Sequence, residues 1–261
     1  MNSRIVALSL ALCLPALTGC FDVEQAMTLQ KDLSGKAAFS MTVNMESMML
    51  FMLRMQREME GKTGEPTAAE IEKARQEFLA SKTSKPEDPE QQKAEVEKSL
   101  PAGIKLLESS IKDEGLKMNV RFVFGFDHIS KLGQIQLSKR DSEGQEGQPP
   151  GAQNPFDEPF AGLQVKDEGG TLLLTTEAIN PAAEQKEQAA SMDLSPEMKK
   201  QMEDAFKDLR VAFKIDAPFE VVESNATRKE GRTLVWEYDL KTMEKMTPEQ
   251  LAQGVRVRFK K

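Results

Sequence analysis

The residue with the most specific chemistry in this sequence is Cys20. It closes the run Leu17-Thr18-Gly19-Cys20. Leu stands three positions before the cysteine and two small residues follow it, the pattern in which a diacylglycerol joins the thiol as a thioether. The bond between Gly19 and Cys20 is then cut, leaving Cys20 as the acylated first residue. The small residues let the peptidase close on the backbone. What precedes them fits an export signal: the basic Arg4, the ten apolar residues Ile5–Leu14, then Pro15. Ten is well short of the roughly 20 residues that span a bilayer core. Residues 1–19 are therefore read as a lipoprotein signal peptide, and the covalent lipid on Cys20 is the one added group, with no cofactor expected.

Cleavage removes Cys13, so Cys20 is the last thiol, and neither a disulfide nor a free cysteine is expected in the mature chain. With a single histidine, His128, zinc, haem and iron–sulfur sites are excluded as expectations. The methionines invite another reading. Seven of the chain's fifteen lie between Met41 and Met59, and Met45, Met48, Met49, Met52, Met55 and Met59 recur at helical spacing. Three roles are open to this stripe. Thioethers are soft ligands for Cu(I); flexible methionines suit an adaptable surface for apolar ligands; a stripe of this period also packs plainly on a core. The copper role is weakened by the missing cysteine and the lone histidine, and the stripe is carried forward as a candidate apolar ligand surface.

Catalytic chemistry finds less. Asp127, His128 and Lys131 are close in sequence, but acyl transfer needs a positioned nucleophile, and no Gly-x-Ser-x-Gly elbow occurs. Paired acids such as Asp157/Glu158 and Asp167/Glu168 are expected among 42 acidic residues, and Asp141-Ser142-Glu143-Gly144 does not extend to a calcium loop. No catalytic residue, no metal site and no enzyme are expected. Asn225-Ala226-Thr227 forms a glycosylation sequon, yet Asn225 is better read as ending a strand. Trp236 is read as core, its ring N–H bonded at the sheet margin.

These residues must be carried by a fold. The chain has 261 residues and a formal charge of −7, with no basic cluster, which argues against nucleic acid and against charge-driven adhesion to anionic lipid. A hairpin is expected over Asp22–Lys31 and Lys36–Met45, turning at Asp32-Leu33-Ser34-Gly35, with Gly35 supplying a positive φ. Helices are expected over Met45–Met59, Thr67–Lys82 (capped by Thr67 and Glu70), Pro89–Ser99, Ala102–Asp113 and Ser195–Leu209. Strands are expected over Leu116–Phe126, Gly133–Ser138, Gly170–Glu177, Arg210–Asp216, Glu220–Ala226, Thr233–Asp239 and Val255–Lys260. Asn180–Asp193 is polar and uninformative. The sum is α+β: an antiparallel β-sheet with helices packed on one face, forming one exported domain over residues 20–261. A helical insertion at about 45–113 and a mobile, polar loop at about 139–169 interrupt it.

Two stretches carry a family likeness. The hairpin with its Asp32-Leu33-Ser34-Gly35 turn, and Val211–Leu240 (VAFKIDAPFEVVESNATRKEGRTLVWEYDL), resemble the LppM-like domain of exported bacterial lipoproteins, which is related to sheet-and-helix lipid-binding folds. The resemblance implies the fold and the compartment, and through the fold a lipid-binding role. Its motifs are structural, and the helical region and acidic loop lie outside it. The expectation is a lipid-anchored protein of the cell envelope. Phe21 after the cysteine directs it to the outer membrane, facing the periplasm, under enteric-type sorting; groups that read this position differently leave the inner membrane open. Its expected partners are the membrane, through the lipid, and either a lipid-like ligand or another envelope protein.

Overall fold

A computed structural model describes residues 21–62, 64–81, 89–137, 159–176, 200, 208–247, 249–250 and 253–261. The fold is α+β and its strands form two sheets. The first sheet has seven strands: β1 (Phe21–Leu29), β2 (Gly35–Asn44), β3 (Ile104–Asp113), β4 (Lys117–Phe126), β7 (Arg210–Asp216), β9 (Arg228–Glu230) and β10 (Thr233–Asp239). Their spatial order is β3-β4-β2-β1-β7-β10-β9. The second sheet, ordered β5-β6-β11-β8, contains β5 (Gln164–Asp167), β6 (Thr171–Thr175), β8 (Glu220–Ser224) and β11 (Arg256–Lys260). The helices are α1 (Met45–Met59), α2 (Ala68–Ser81), α3 (Pro89–Ser99) and the short α4 (Leu240–Lys245), with a 3₁₀ turn at Ile129–Gln134. No helix among the described residues is long and apolar enough to cross a membrane.

The period-two pattern of β2 places Ala37, Phe39, Met41 and Val43 on the buried face. Register continues that face across the sheet: Phe39 stands opposite Phe122 and Gln25, Gln25 opposite Phe213, and Phe213 opposite Trp236. Leu172, Leu174, Val257 and Phe259 of the second sheet belong to the same apolar cluster, so the two sheets share one core. Ile129, Leu132, Ile135 and Phe160 fill it from irregular segments. Phe160 meets Phe124 edge to face, with ring centroids 6.3 Å apart.

Asn225, directly after β8, joins the sheets. Its Oδ1 accepts from Trp236 Nε1 at 2.7 Å and from the Arg256 backbone N–H at 2.8 Å, while its Nδ2 donates to Gly254 O at 2.9 Å. Trp236 is fully buried, so both the strand-end reading of Asn225 and the core reading of the tryptophan are borne out.

The hairpin is where the sequence places it, but its turn works differently. The left-handed residue is Leu33, at φ 65°, and Gly35 is required for space. A Cβ on Gly35 would come within 2.0 Å of Thr28 O and 2.9 Å of the Phe126 ring.

Other expectations are corrected. Residues 104–113, expected as helix, are strand β3. A β-bulge between Leu106 and Glu108 inserts Leu107 and resets the alternation, so that Ile104, Leu107 and Ile111 mimic helical spacing. The helical insertion thus ends at Ser99, not near 113. In place of the short strand at Gly133–Ser138, residues 129–134 form the 3₁₀ turn and 135–137 are irregular. Strand β5 lies inside the stretch 139–169 expected as a loop. The single antiparallel sheet is two sheets, and β1 pairs with β7 in parallel. The Ser195–Leu209 helix falls almost wholly outside the described residues, as do residues 138–158, Asn180–Asp193 and the signal segment with Gly19 and Cys20.

Asn225→Ala leaves the Trp236 ring N–H without its acceptor and is expected to cost about 1–2 kcal/mol. Gly35→Ala, which forces backbone to move, should cost more, about 2 kcal/mol at least. Urea unfolding followed through the single tryptophan measures both; an unchanged midpoint for either contradicts the assignment.

Candidate functional site

The first described residue, Phe21, is already in β1 and pairs with Val43 near the end of β2. Two residues later α1 begins. Its first N–H, from Met45, donates to Leu116 O at 2.7 Å, and the Asn44 side chain accepts from Glu46 N at 3.1 Å, capping the helix. β7 starts at the same end of the sheet, with Arg210 opposite Asp22. β10 finishes there at Asp239, whose carboxylate caps α4 by accepting from Thr242 N. One end of the large sheet therefore gathers the residue next to Cys20, the methionine-rich helix and α4.

α1 leans on α2. The pair is tied by Glu46–Arg75 at 2.5 Å and Arg57–Glu70 at 2.5 Å, and Arg54 reaches Glu65 at 2.8 Å. The capping box read from Thr67 and Glu70 is present in both directions: Thr67 N donates to Glu70 Oε2 and Glu70 N to Thr67 Oγ1. The methionine stripe is not uniform. Met45 is partly buried against the core, Met49 is only 7% exposed, Met55 is partly buried, and Met52 is 56% exposed. The side chains of Met48 and Met59 lie outside the description.

On the outer face of the same end, sequence reasoning missed a polar ladder. Arg210 Nη1 bonds Asp22 at 2.9 Å, Nη2 bonds Glu24 at 3.2 Å, and Nε bonds Glu237 at 2.6 Å. Lys214 adds a contact to Glu24 at 2.7 Å, and Arg228 reaches Glu237 from β9. Burial works against the charge on Arg210, but its bonds to Glu237, Asp22 and Glu24 outweigh it and raise its pKa. Burial likewise opposes ionisation of Glu24, and the bonds from Lys214 and Arg210 still hold its carboxyl below the usual range. Hydrogen bonds from Arg210 and Arg228 hold Glu237 low as well. The signal available in the sequence was the alternating charge of β1 and β7, Asp22, Glu24, Arg210 and Lys214, whose partners only the topology reveals.

At the opposite end of the sheets lies an open cleft of about 610 Å³. The hairpin contributes Lys31, Asp32 and Leu33, the β7–β8 link Pro218, Phe219 and Glu220, and the chain's last strand Lys260 and Lys261. Phe219 packs against Phe259 with centroids 5.9 Å apart. None of the α1 methionines lines this cleft. A branched residue in the left-handed region is uncommon, and here it is Leu33, at the cleft edge.

Asp127 and His128, close in sequence, are not brought together as a catalytic pair. Asp127 pairs with Lys131 at 2.8 Å, and His128 Nδ1 accepts from Ser130 N at 3.3 Å, capping the 3₁₀ turn just after β4. Among the described residues, no group of three or more His, Cys, Asp or Glu is placed to hold a metal ion.

No family model and no curated protein matches this chain. Among solved structures, the folded domain of Mycobacterium tuberculosis LppM, determined by NMR, is similar at 11% sequence identity and a TM-score of 0.42, with 93% of this chain and 90% of that one covered. This is a weak similarity of fold.

Arg210→Met should destabilise the domain by about 2 kcal/mol at pH 7, less than the roughly 3–5 of a fully buried pair, since these groups stay partly exposed. Depressed carboxylates contribute stability above their unfolded pKa and lose it as pH falls through the lower folded value. The native protein should therefore weaken progressively below about pH 4.5, the unperturbed value of Glu24 and Glu237. Arg210→Met should show a smaller drop between pH 7 and pH 3. Urea titrations at several pH values decide this; parallel pH profiles would contradict it.

Proposed function

We propose that this chain is a lipid-anchored protein of the bacterial cell envelope that binds a ligand and catalyses no reaction, and that its ligand is apolar or lipid-like. The observation that supports the anchor reading is that Phe21 is already in β1. The residue beside the lipobox cysteine thus belongs to the central strand of a seven-stranded sheet, which leaves no long tether between the described fold and Cys20. Two or three acyl chains on one residue give stable attachment where a single chain is reversible. Phe21 points to the periplasmic face of the outer membrane, with the inner membrane as the alternative.

The cleft supports a binding role. Its volume lies within the range of small-molecule sites, and Leu33, Pro218 and Phe219 give it an apolar wall beside a charged rim, where Lys31 and Asp32 stand together, Lys260 pairs with Glu220 and Lys261 with Asp167. Such a wall and rim suit an amphipathic molecule. A second reading, docking of another envelope protein, is favoured by Leu107 (51% exposed) and Val222 (55% exposed), which sit on the edge strands β3 and β8.

The N-terminal peptide of the membrane-extracted protein should carry a diacylglyceryl thioether on Cys20, and Cys20→Ser should leave the protein unprocessed. An unmodified Cys20 would overturn the anchor reading. Native mass spectrometry after mild extraction should show a bound apolar species that Phe219→Asp removes. Protein that is ligand-free in several detergents, together with a discrete crosslinked partner in cells, would favour the second reading.

A further inference from the structure

We propose that the open part of the methionine face of α1, at Met52, docks together with Leu79 of α2 on the same lipid bilayer that holds the acyl anchor. This rests on the reading of Cys20 as the lipidated residue. The first argument is distance. Cys20 is bonded to Phe21, Phe21 pairs with Val43, and α1 begins two residues on. With Cα spacings of 3.8 Å along the chain and about 5 Å across a strand pair, the first residue of α1 lies within about 16 Å of the anchored residue.

The second argument is the helix face left over once α2 is in place. The residues that bind the second helical arm are Glu46, Arg54 and Arg57. At 100° per residue, the mean direction of Met45, Met49, Met52 and Met55 lies about 140° round the helix from the mean direction of these three. The foot of this stripe is closed, with Met49 buried and Met45 against the core; further along, Met52 is open to solvent. Leu79 of α2 adds to the same end: it is 42% exposed and its Cδ2 lies 3.4 Å from where a Cβ on Gly115, in the β3–β4 turn, would stand. Phe21 itself is only partly buried.

The bilayer is the occupant that this placement favours. An acyl anchor holds its surface beside α1 at high effective concentration, so a few apolar side chains suffice for contact. Methionine side chains, flexible and polarizable, adapt to a fluid interface. The exposed part of the α1–α2 pair carries more acids (Glu58, Glu60, Glu65, Glu72, Glu77) than bases (Lys62, Lys73), so attraction comes from apolar burial and not from charge. Docking should therefore gain nothing from anionic lipid.

The test uses the acylated mature protein in phosphatidylcholine vesicles. Its native thiol is consumed by the lipid, so Met52→Cys introduces the single labelling site, carrying a polarity-sensitive fluorophore. Leu79→Cys is a second probe, and Val222→Cys, on β8 near the cleft, is the control. Spin-labelled lipids should quench the Met52 and Leu79 probes at least about twofold more strongly than the Val222 probe, with no increase when phosphatidylglycerol is added. Equal quenching at all three positions overturns the proposal. Acyl mass on Cys20, read from the same sample, separates the outcomes: an acylated protein with equal quenching defeats docking alone, and an unacylated one defeats the anchor reading with it.

Discussion

The structure depends on the parallel pairing of β1 with β7. These strands are separated by more than half the chain, yet they lie side by side in the middle of the large sheet, from Asp22 opposite Arg210 to Thr28 opposite Asp216. Everything else is arranged about that seam. The β2, β4 and β3 strands extend the sheet on one side, and β10 and β9 on the other. On the inner face Met27 meets Ile215 and Val23 meets Val211, with the polar Gln25 between Phe39 and Phe213. On the outer face it is closed by Arg210, whose guanidinium spans β1, β7 and β10 through three carboxylates. A planar fork with five donors suits that task, and a lysine at the same position could not reach all three in fixed geometry. Bringing such distant strands together carries a high loop-closure cost, which the local hairpins on either side do not share.

Much of this was legible residue by residue. The α1 and α3 boundaries, the hairpin, β7 and β10 follow from period, caps and turns, because in each the local pattern and the tertiary environment agree. The failures share a cause. At Leu107 a bulge shifts the alternation by one, and the spacing that results imitates a helix until β4 is known to lie beside it. Leu33 takes the left-handed position while Gly35 yields room first to Thr28 O across the hairpin and then to the Phe126 ring, a neighbour far along the chain that the turn itself does not reveal. The parallel seam leaves no short-range mark, and neither does a second sheet assembled from strands as short as β5. The candidate site was legible only in part. Cys20 and the methionine helix stand out by residue type, whereas the cleft is assembled from three separate chain segments and has no sequence signature.

The division between the two ends of the sheets gives the functional account its form. One end carries Phe21, α1 and the polar ladder, and there the proposed anchor would enter. The other carries the cleft, with its apolar wall and mixed charged rim. β1 runs from beside Cys20 to the cleft edge before Lys31 and Leu33, and its nine residues at about 3.3 Å each put roughly 30 Å between the two. Under the proposed anchor, with β1 upright on the bilayer, a ligand held in the cleft would sit clear of the headgroups and open to the aqueous side.

The central claim is that the folded domain is joined to its lipid without a tether. Neutron reflectometry of the acylated protein on a supported phosphatidylcholine bilayer tests it most directly. The account predicts protein density continuous with the headgroup layer. A water-filled gap wider than about 10 Å, the reach of three extended residues, would contradict it.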